Sequence, residues 1–178
     1  IGNREQGNSR QERDVAYLLK VIGTAWLLEP DDAMLERLAL LPGLEDVCAA
    51  MTPEAAALEY SQVILQLVPP YASLLLDEEA MLNSAQAERV EAEYRLAGFS
   101  ILPEWRAGPA DHLGVELQFL GHLLAVDEDR AARFLNEYLL PWAPVCLLAI
   151  SRIERATLYP ALADVTLQVL TAIAPDDS

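Results

Sequence analysis

The chain has 178 residues, 53% of them hydrophobic, and carries 28 acidic against 12 basic side chains, a formal net charge of −16 at pH 7. This length and apolar content predict one domain that buries about 68–70% of the surface of its unfolded chain. The negative charge excludes nucleic acid and anionic membranes as expected partners, since both repel an acidic surface. It favours a basic partner, such as an Arg-bearing peptide.

The N-terminal segment is polar, and residues 1–12 are predicted to form a flexible tail before a single all-α domain at 13–178. The tail lacks the apolar stretch of a secretory signal, and no apolar run reaches the roughly 18 residues of a membrane span. Cys48 and Cys146 lie among apolar neighbours and indicate buried free thiols in a reducing compartment. We therefore expect a cytoplasmic protein without direct membrane insertion.

Apolar residues recur every three to four positions along most of the chain, and prolines separate the resulting segments. In chain order, the first three helices are predicted at 15–26, at 31–41 up to Pro42 and Gly43, and at 53–68, where Thr52 is the cap and Pro53 the first residue. The fourth runs from Asn83 or Ser84 to Ala97 and is followed by a left-handed Gly98. The remaining helices are predicted at 112–124, from Asp127 to Pro141, at 144–156 and at 160–173. No stretch alternates as a strand does. The fold class is all-α: a single-domain bundle of about eight or more helices.

The connection at 69–83 is more apolar than a loop in solvent requires. Pro69 and Pro70 hold its beginning extended, and Tyr71, Leu74 and Leu75 follow. Two interpretations remain open: the segment packs over the bundle as a strap, or it lines a groove.

The segment at 112–124 predicts a buried central helix, because apolar side chains occupy two nearly opposite sides of it. These stripes are Leu113, Leu117, Leu120 and Leu124 on one side, and Val115, Phe119 and Leu123 on the other. Gly114 and Gly121 lie one above the other on a third side. Mid-helix glycine costs about 1 kcal/mol relative to alanine, so the pair indicates close approach by another backbone.

Asp111, His112 and Glu116 are the candidate functional residues at the start of this helix. A purely structural interpretation makes Asp111 an N-cap and His112 a satisfied core histidine. An ionisable pair on an apolar face, such as His112 and Glu116, should be mutually bonded or open to a cleft. His112 and His122 lie about 15 Å apart along the axis, which argues against a metal site. No nucleophile elbow or phosphate-binding glycine loop is present.

This segment resembles the signature of the TorD/DmsD/NarJ-type redox-enzyme maturation chaperones, a Glu-x-Pro-x-Asp-His sequence that opens a central helix. Pro109, Asp111 and His112 match it, while Ala107 stands at the leading Glu position and Glu104 lies close by.

Two further family patterns occur in the expected order. Tyr60 fits the aromatic of the first pattern, although Val63 and Ile64 replace its Leu-Phe. Its proline-rich loop is matched by Pro69, Pro70, Tyr71 and Ser73, with Ala72 where Glu is usual. The later Leu-x-Pro-Trp stretch is matched in part by Leu140, Pro141 and Trp142. The likeness runs from about residue 58 to about residue 170.

The resemblance implies a cytoplasmic chaperone, monomer or homodimer, without cofactor or catalytic activity. Its partner would be a molybdopterin oxidoreductase catalytic subunit, bound through its twin-arginine or remnant N-terminal signal peptide and held as apoenzyme until cofactor insertion and export. Asp111, Glu116 and Glu104 would accept guanidinium hydrogen bonds, and His112 would fix the carboxylate geometry. The groove for the apolar part would be formed by Tyr60, Pro69, Pro70, Tyr71, Leu74, Leu75 and Phe119. The alternatives are a helical adaptor that binds an amphipathic helix without preference for paired arginines and, last, an enzyme with His112 as base.

Overall fold

The computed structural model describes residues 2–77, 85–105 and 108–174, with side chains from residue 13 onward except that of Glu104. The α-helices within these ranges are α1 (Gly2–Leu27), α2 (Asp32–Leu38), α3 (Glu45–Ala50), α4 (Pro53–Tyr60), α5 (Ser73–Leu76), α6 (Ala85–Leu96), α7 (Leu113–Val126), α8 (Glu128–Phe134), α9 (Ala143–Ser151) and α10 (Leu158–Ile173). A π-helix, Ser61–Leu67, continues α4, and another, Leu135–Leu139, continues α8. The predicted all-α class is confirmed.

Two of the predicted features lie at the beginnings of α1 and α6. Helix α1 begins at Gly2, so the backbone of residues 2–12 is helical where the sequence predicts a tail outside the bundle. The flexibility of that segment and the domain boundary at residue 13 stay predictions. The predicted cap at Asn83 or Ser84 lies outside the described residues.

Local capping signals explain where several helices begin and end. The side chains of Asp31, Thr52 and Asp127 accept hydrogen bonds from backbone N–H groups in the first turns of α2, α4 and α8, at 2.8, 3.3 and 3.0 Å. Each satisfies a donor that has no partner within its helix. Gly98 ends α6 with a φ of 66°, the left-handed conformation that glycine adopts without steric cost.

The central position of α7 is confirmed by its burial, since Leu113 and Leu117 are completely buried and Phe119 lies among core side chains. The glycine prediction is confirmed as well. A Cβ on Gly114 would lie 2.5 Å from the carbonyl oxygen of Gly23, and one on Gly121 would lie 2.9 Å from that of Ala16. Helices α1 and α7 therefore pack backbone against backbone, which fixes where α7 begins.

The remaining helices enclose this pair. Trp26 of α1 is fully buried and donates from its indole nitrogen to the Thr166 hydroxyl of α10 at 3.1 Å.

In the ranges that the structure describes, no single helix is long and apolar enough to cross a membrane. A pair bent by 63°, Glu128–Leu139 and Ala143–Ser151, meets the criterion by length and composition only.

Candidate functional site

The proline-rich strap, residues 69–76, lies against the segment that leads into α7. Tyr71 and His112 form an isolated antiparallel β-bridge. The backbone N–H of Ala72 donates to the carbonyl oxygen of Asp111 at 3.1 Å, and that of Leu113 donates to the carbonyl oxygen of Pro70 at 2.9 Å. Two segments about 40 residues apart in sequence are thereby held side by side. The described part of this connection, residues 69–77, shows features of both interpretations, because it lies against the bundle and its residues Pro69 and Tyr71 also line a cleft.

His112, rather than Asp111, caps α7. Its Nδ1 accepts a hydrogen bond from the backbone N–H of Gly114 at 3.0 Å. The structural interpretation that made Asp111 the N-cap is therefore wrong. Asp111 is fully buried, and its Oδ2 instead accepts from the backbone N–H of Ser73 at 2.7 Å, at the first residue of α5. Asp111 is directed at the strap because His112 already satisfies the first turn of α7.

Glu116 is also fully buried, one turn into α7. Its Oε2 accepts a hydrogen bond from the indole nitrogen of Trp142 at 3.4 Å. Among the described residues, neither Oε1 of Glu116 nor Oδ1 of Asp111 has a hydrogen-bond partner. Burial, and then the charge of Asp111, raise the pKa of Glu116 well above its ordinary value, although the Trp142 hydrogen bond acts in the opposite direction. Burial therefore favours the neutral, protonated form of Glu116.

His112 is neutral too, because burial lowers its pKa from 6.5 to about 3. The sequence predicted that His112 and Glu116 are bonded to each other or open to a cleft. They make separate hydrogen bonds, to Gly114 and Trp142. The second alternative applies to His112, which lines a cleft while only 7% of it is exposed.

That cleft, the strap cleft, has a volume of about 280 Å³. It is lined by Leu27, Tyr60, Ile64, Leu65, Pro69, Tyr71, Trp105, Gly108, Pro109 and His112. With His112 neutral, none of these residues carries a charge near pH 7. The surface that the cleft offers is aromatic and aliphatic, with a few hydroxyl and imidazole groups.

Hydrogen bonds and ring contacts fix the aromatic side chains of the strap cleft. The Tyr60 hydroxyl donates to the carbonyl oxygen of Leu27 at 3.0 Å. The Tyr71 ring meets His112 edge to face, with centroids 4.8 Å apart. Gly108 lies directly under the Tyr71 hydroxyl, where any Cβ would collide with it. Gly108 is thus required for the observed position of Tyr71.

The structure brings together only some of the predicted site residues. Tyr60, Pro69, Tyr71 and His112 line the strap cleft. Pro70 is buried in the strap, Leu74 is half-buried, and Leu75 is exposed; none of these three borders the cleft. The side chain of Glu104 lies outside the described residues.

Phe119 does not line the strap cleft, contrary to expectation. Its ring is fully buried and packs edge-on against Tyr94 and Phe134, with centroid distances of 4.7 and 4.8 Å. The apolar periodicity that placed Phe119 on α7 is equally typical of a core residue.

Sequence reasoning missed six cleft residues: Leu27, Ile64, Leu65, Trp105, Gly108 and Pro109. Leu27 and Ile64 have ordinary helical spacing, so nothing local distinguishes them. For Leu65 the sequence offered one signal, its place in the helix just before the paired prolines of the strap. In the structure the side chain is 59% exposed. An exposed leucine beside a predicted groove is a reasonable candidate for its rim.

Fold and cleft together define a class: an all-α bundle in which a proline strap and the start of a central helix border a cleft whose described lining is aromatic and uncharged. A family profile described as nitrate reductase delta subunit matches residues 31–147. The chain belongs to this family, and the predicted likeness to the TorD-type chaperones is confirmed.

Among the residues that the structure describes, no group of three or more His, Cys, Asp or Glu is placed to hold a metal ion.

Several curated proteins are similar to the chain. It is 28% identical to chaperone protein TorD of Aliivibrio fischeri, over 72% of this chain and 64% of that protein. It is 29% identical to chaperone protein TorD of Psychrobacter sp., over 79% and 69%. It is 32% identical to the probable Tat proofreading chaperone DmsD of Haemophilus influenzae, over 57% and 50%. The matches thus span half to two thirds of these relatives, which are named as chaperones.

Proposed function

We propose that the chain is a cytoplasmic chaperone for a molybdopterin oxidoreductase. It binds the twin-arginine, or remnant, N-terminal signal peptide of that enzyme and holds the apoenzyme until cofactor insertion and export. One observation carries the proposal: the strap cleft is built from the two segments that carry the family motifs, joined by the bridge between Tyr71 and His112.

The strap cleft suits the apolar part of such a peptide. Its lining is uncharged, and burial of apolar side chains contributes roughly 25 cal/mol per Å² removed from water. Its volume of about 280 Å³ accommodates one or two side chains rather than a whole helix. Affinity therefore depends on one anchoring side chain of the peptide in the cleft, while the neighbouring peptide residues lie on the protein surface around it.

The two motif carboxylates act indirectly in this proposal. Asp111 and Glu116 are fully buried, so in this conformation neither touches a guanidinium group of a bound peptide. Asp111 instead positions the strap through Ser73, and His112 fixes both the first turn of α7 and the Tyr71 ring. These residues shape the cleft and do not themselves select charge.

A capture experiment tests the proposed function. Tagged protein is mixed with cytosol of the source organism, and bound proteins are identified by mass spectrometry. Leu65→Glu places a charge at the rim of the strap cleft, while Leu58→Glu is a matched control, because both leucines are 59% exposed and only Leu65 lines the cleft. Wild type and Leu58→Glu should recover one molybdopterin oxidoreductase that Leu65→Glu loses. Recovery of unrelated proteins by all three contradicts the proposal and favours the adaptor alternative.

Direct binding is then measured with the first 30 residues of the captured enzyme. Trp105 lines the strap cleft, whereas Trp26 and Trp142 are at most 1% exposed. Binding should change the intrinsic fluorescence of the wild type, and Trp105→Phe should remove most of that change. A fluorescence change that persists in Trp105→Phe places the peptide elsewhere.

A further inference from the structure

A second cleft lies beside the strap cleft, and Gly108 and Pro109 line both. Its volume is about 450 Å³. It is lined by Glu91, Tyr94, Arg95, Phe99, Ser100, Ile101, Gly108, Pro109 and Ala110. We call it the α6 cleft, because most of these residues belong to the C-terminal half of α6 or follow it directly. The two clefts share a wall, so one short extended segment can reach both at about 3.3 Å per residue.

The α6 cleft contains an accessible carboxylate, a group that none of the described lining residues of the strap cleft supplies. Glu91 contacts Arg95 one turn later, with 3.5 Å between the guanidinium nitrogen and the carboxylate oxygen. Both side chains are more than half exposed, at 53% for Glu91 and 67% for Arg95. Exposed pairs of this kind contribute little to stability, so Arg95 is easily displaced. The carboxylates of Asp111 and Glu116, by contrast, are sealed in the core.

Two further features of the α6 cleft favour a cation. Helix α6 ends there: the N–H of Gly98 donates to the Arg95 carbonyl at 3.1 Å, and that of Phe99 donates to the Tyr94 carbonyl at 2.9 Å. The C-terminus of a helix carries partial negative charge, which stabilises a cation near its last turn. The half-buried Phe99 also lines the cleft, and an aromatic ring attracts a nearby cation.

We propose that the α6 cleft binds an arginine side chain of the same client segment whose apolar side chain occupies the strap cleft, with Glu91 as the hydrogen-bond acceptor. The inference rests on the proposed function and adds to it the site that selects charge. Arg95 occupies Glu91 in the free protein and is displaced when the client arginine binds. The carboxylate accepts two parallel N–H hydrogen bonds from a guanidinium group, a geometry that lysine cannot reproduce.

The test uses fluorescein-labelled 20-residue peptides with one Leu/Ala-rich body and three heads: Arg-Arg, Lys-Lys or Gln-Gln. Anisotropy titrations compare wild type, Glu91→Gln, Arg95→Gln and Glu88→Gln. Glu88 is the matched control, because it is an exposed acid of α6 that does not line the cleft. All these positions are exposed, so thermal midpoints should change little.

Wild type should bind the Arg-Arg peptide about three- to tenfold more tightly than the Gln-Gln peptide, as expected for one partly exposed charge-assisted contact, with Lys-Lys in between. Glu91→Gln should remove that preference, Arg95→Gln should increase it, and Glu88→Gln should leave it unchanged. Equal affinity for the three peptides, no binding of the Arg-Arg peptide, or equal effects of Glu91→Gln and Glu88→Gln would each overturn the proposal. The capture experiment decides the proposed function independently, since it requires neither Glu91 nor a particular head.

Discussion

The carboxylate of Asp111 accepts a 2.7 Å hydrogen bond from the backbone N–H of Ser73, 38 residues earlier in the chain. Both residues are fully buried, so water cannot replace either partner. The bond ties the first residue of α5 to the segment that leads into α7. It therefore joins the two family motifs at the place where the strap cleft opens.

Removing this bond should destabilise the protein. Asp111→Ala leaves the Ser73 N–H buried without its acceptor, which costs about 1–3 kcal/mol in the free energy of unfolding. Asp111→Asn keeps a carbonyl oxygen in the same place and should lose less. Urea denaturation of the three proteins measures the difference. Unchanged stability of Asp111→Ala would contradict the structural role given to this bond.

The buried Glu116 should make stability fall as pH rises. Its pKa is raised in the folded protein, so above its ordinary value of 4.5 the native state holds a proton that the unfolded chain has released. Stability then decreases by up to about 1.4 kcal/mol per pH unit until the folded pKa is reached. Glu116→Gln mimics the neutral acid and lacks this slope. Denaturation of both proteins between pH 5 and 8 should show that the stability of Glu116→Gln increases relative to that of wild type as pH rises. A constant difference in stability over this range would mean that Glu116 is ionised in the core.

His112 should produce the opposite slope over a lower range. Its pKa is about 3 in the folded protein and 6.5 ordinarily, so between these values only the unfolded chain binds the proton. Its contribution to stability is complete above pH 6.5 and is lost as pH falls toward 3. His112→Asn retains a side-chain acceptor for the N–H of Gly114 and does not titrate. The stability of this variant relative to wild type should therefore rise as pH is lowered from 7 to 4; a constant difference would show that His112 is not buried neutral.

Local sequence signals account for much of the fold and little of the candidate site. The cap at Thr52 and the left-handed Gly98 depend on a few neighbouring residues, and the structure confirms both predictions. The partner of Asp111 could not be predicted in this way, because Ser73 lies in another segment.

The burial of the two acidic side chains at the start of α7 was harder still to predict from the sequence. Asp111 precedes α7 and Glu116 lies in its first turn, and only tertiary packing places both in the core. Glu91, an exposed acid that lines the α6 cleft, lies in a helix with no motif. Its position depends on α6 folding back onto Gly108 and Pro109, which the pattern of a single sequence does not show.

The close contact between α1 and α7 should make Gly114→Ala destabilising, although alanine is the better helix former by about 1 kcal/mol. The added Cβ would lie 2.5 Å from both the Gly23 carbonyl oxygen and the Leu27 side chain. Overpacking of this kind costs about 1–3 kcal/mol. The control is Gly98→Ala, where no atom lies within 4 Å and only the φ of 66° is strained, at about 1–2 kcal/mol.

The two glycine variants are distinguished by long-range effects. Gly114→Ala should move α7 against α1, and so shift the Trp26 near-ultraviolet dichroism as well as the urea midpoint. Gly98→Ala should lower the midpoint without that spectral change. A Gly114→Ala protein as stable as wild type would show that α1 and α7 do not pack backbone to backbone.

Glu59 of α4 should stabilise the start of α10, about 100 residues further along the chain. Its carboxylate accepts hydrogen bonds from the backbone N–H groups of Thr157 and Leu158, the latter at 3.0 Å. Thr157, the N-cap residue of α10, makes no side-chain capping bond of its own. Glu59 is 8% exposed and carries a negative charge at a helix N-terminus, where the partial charge is positive. It therefore replaces the missing cap from another helix.

Glu59→Ala should lower the free energy of unfolding by about 1–3 kcal/mol, because two backbone N–H groups lose their acceptor. Glu59→Gln keeps one carbonyl oxygen without the charge and should lose an intermediate amount. Glu36→Ala, at an exposed position in α2, is the control and should change stability by less than about 0.5 kcal/mol. Hydrogen exchange should show faster exchange at the first turn of α10 in Glu59→Ala. Protection there equal to that of wild type would mean that α10 is held by its packing alone.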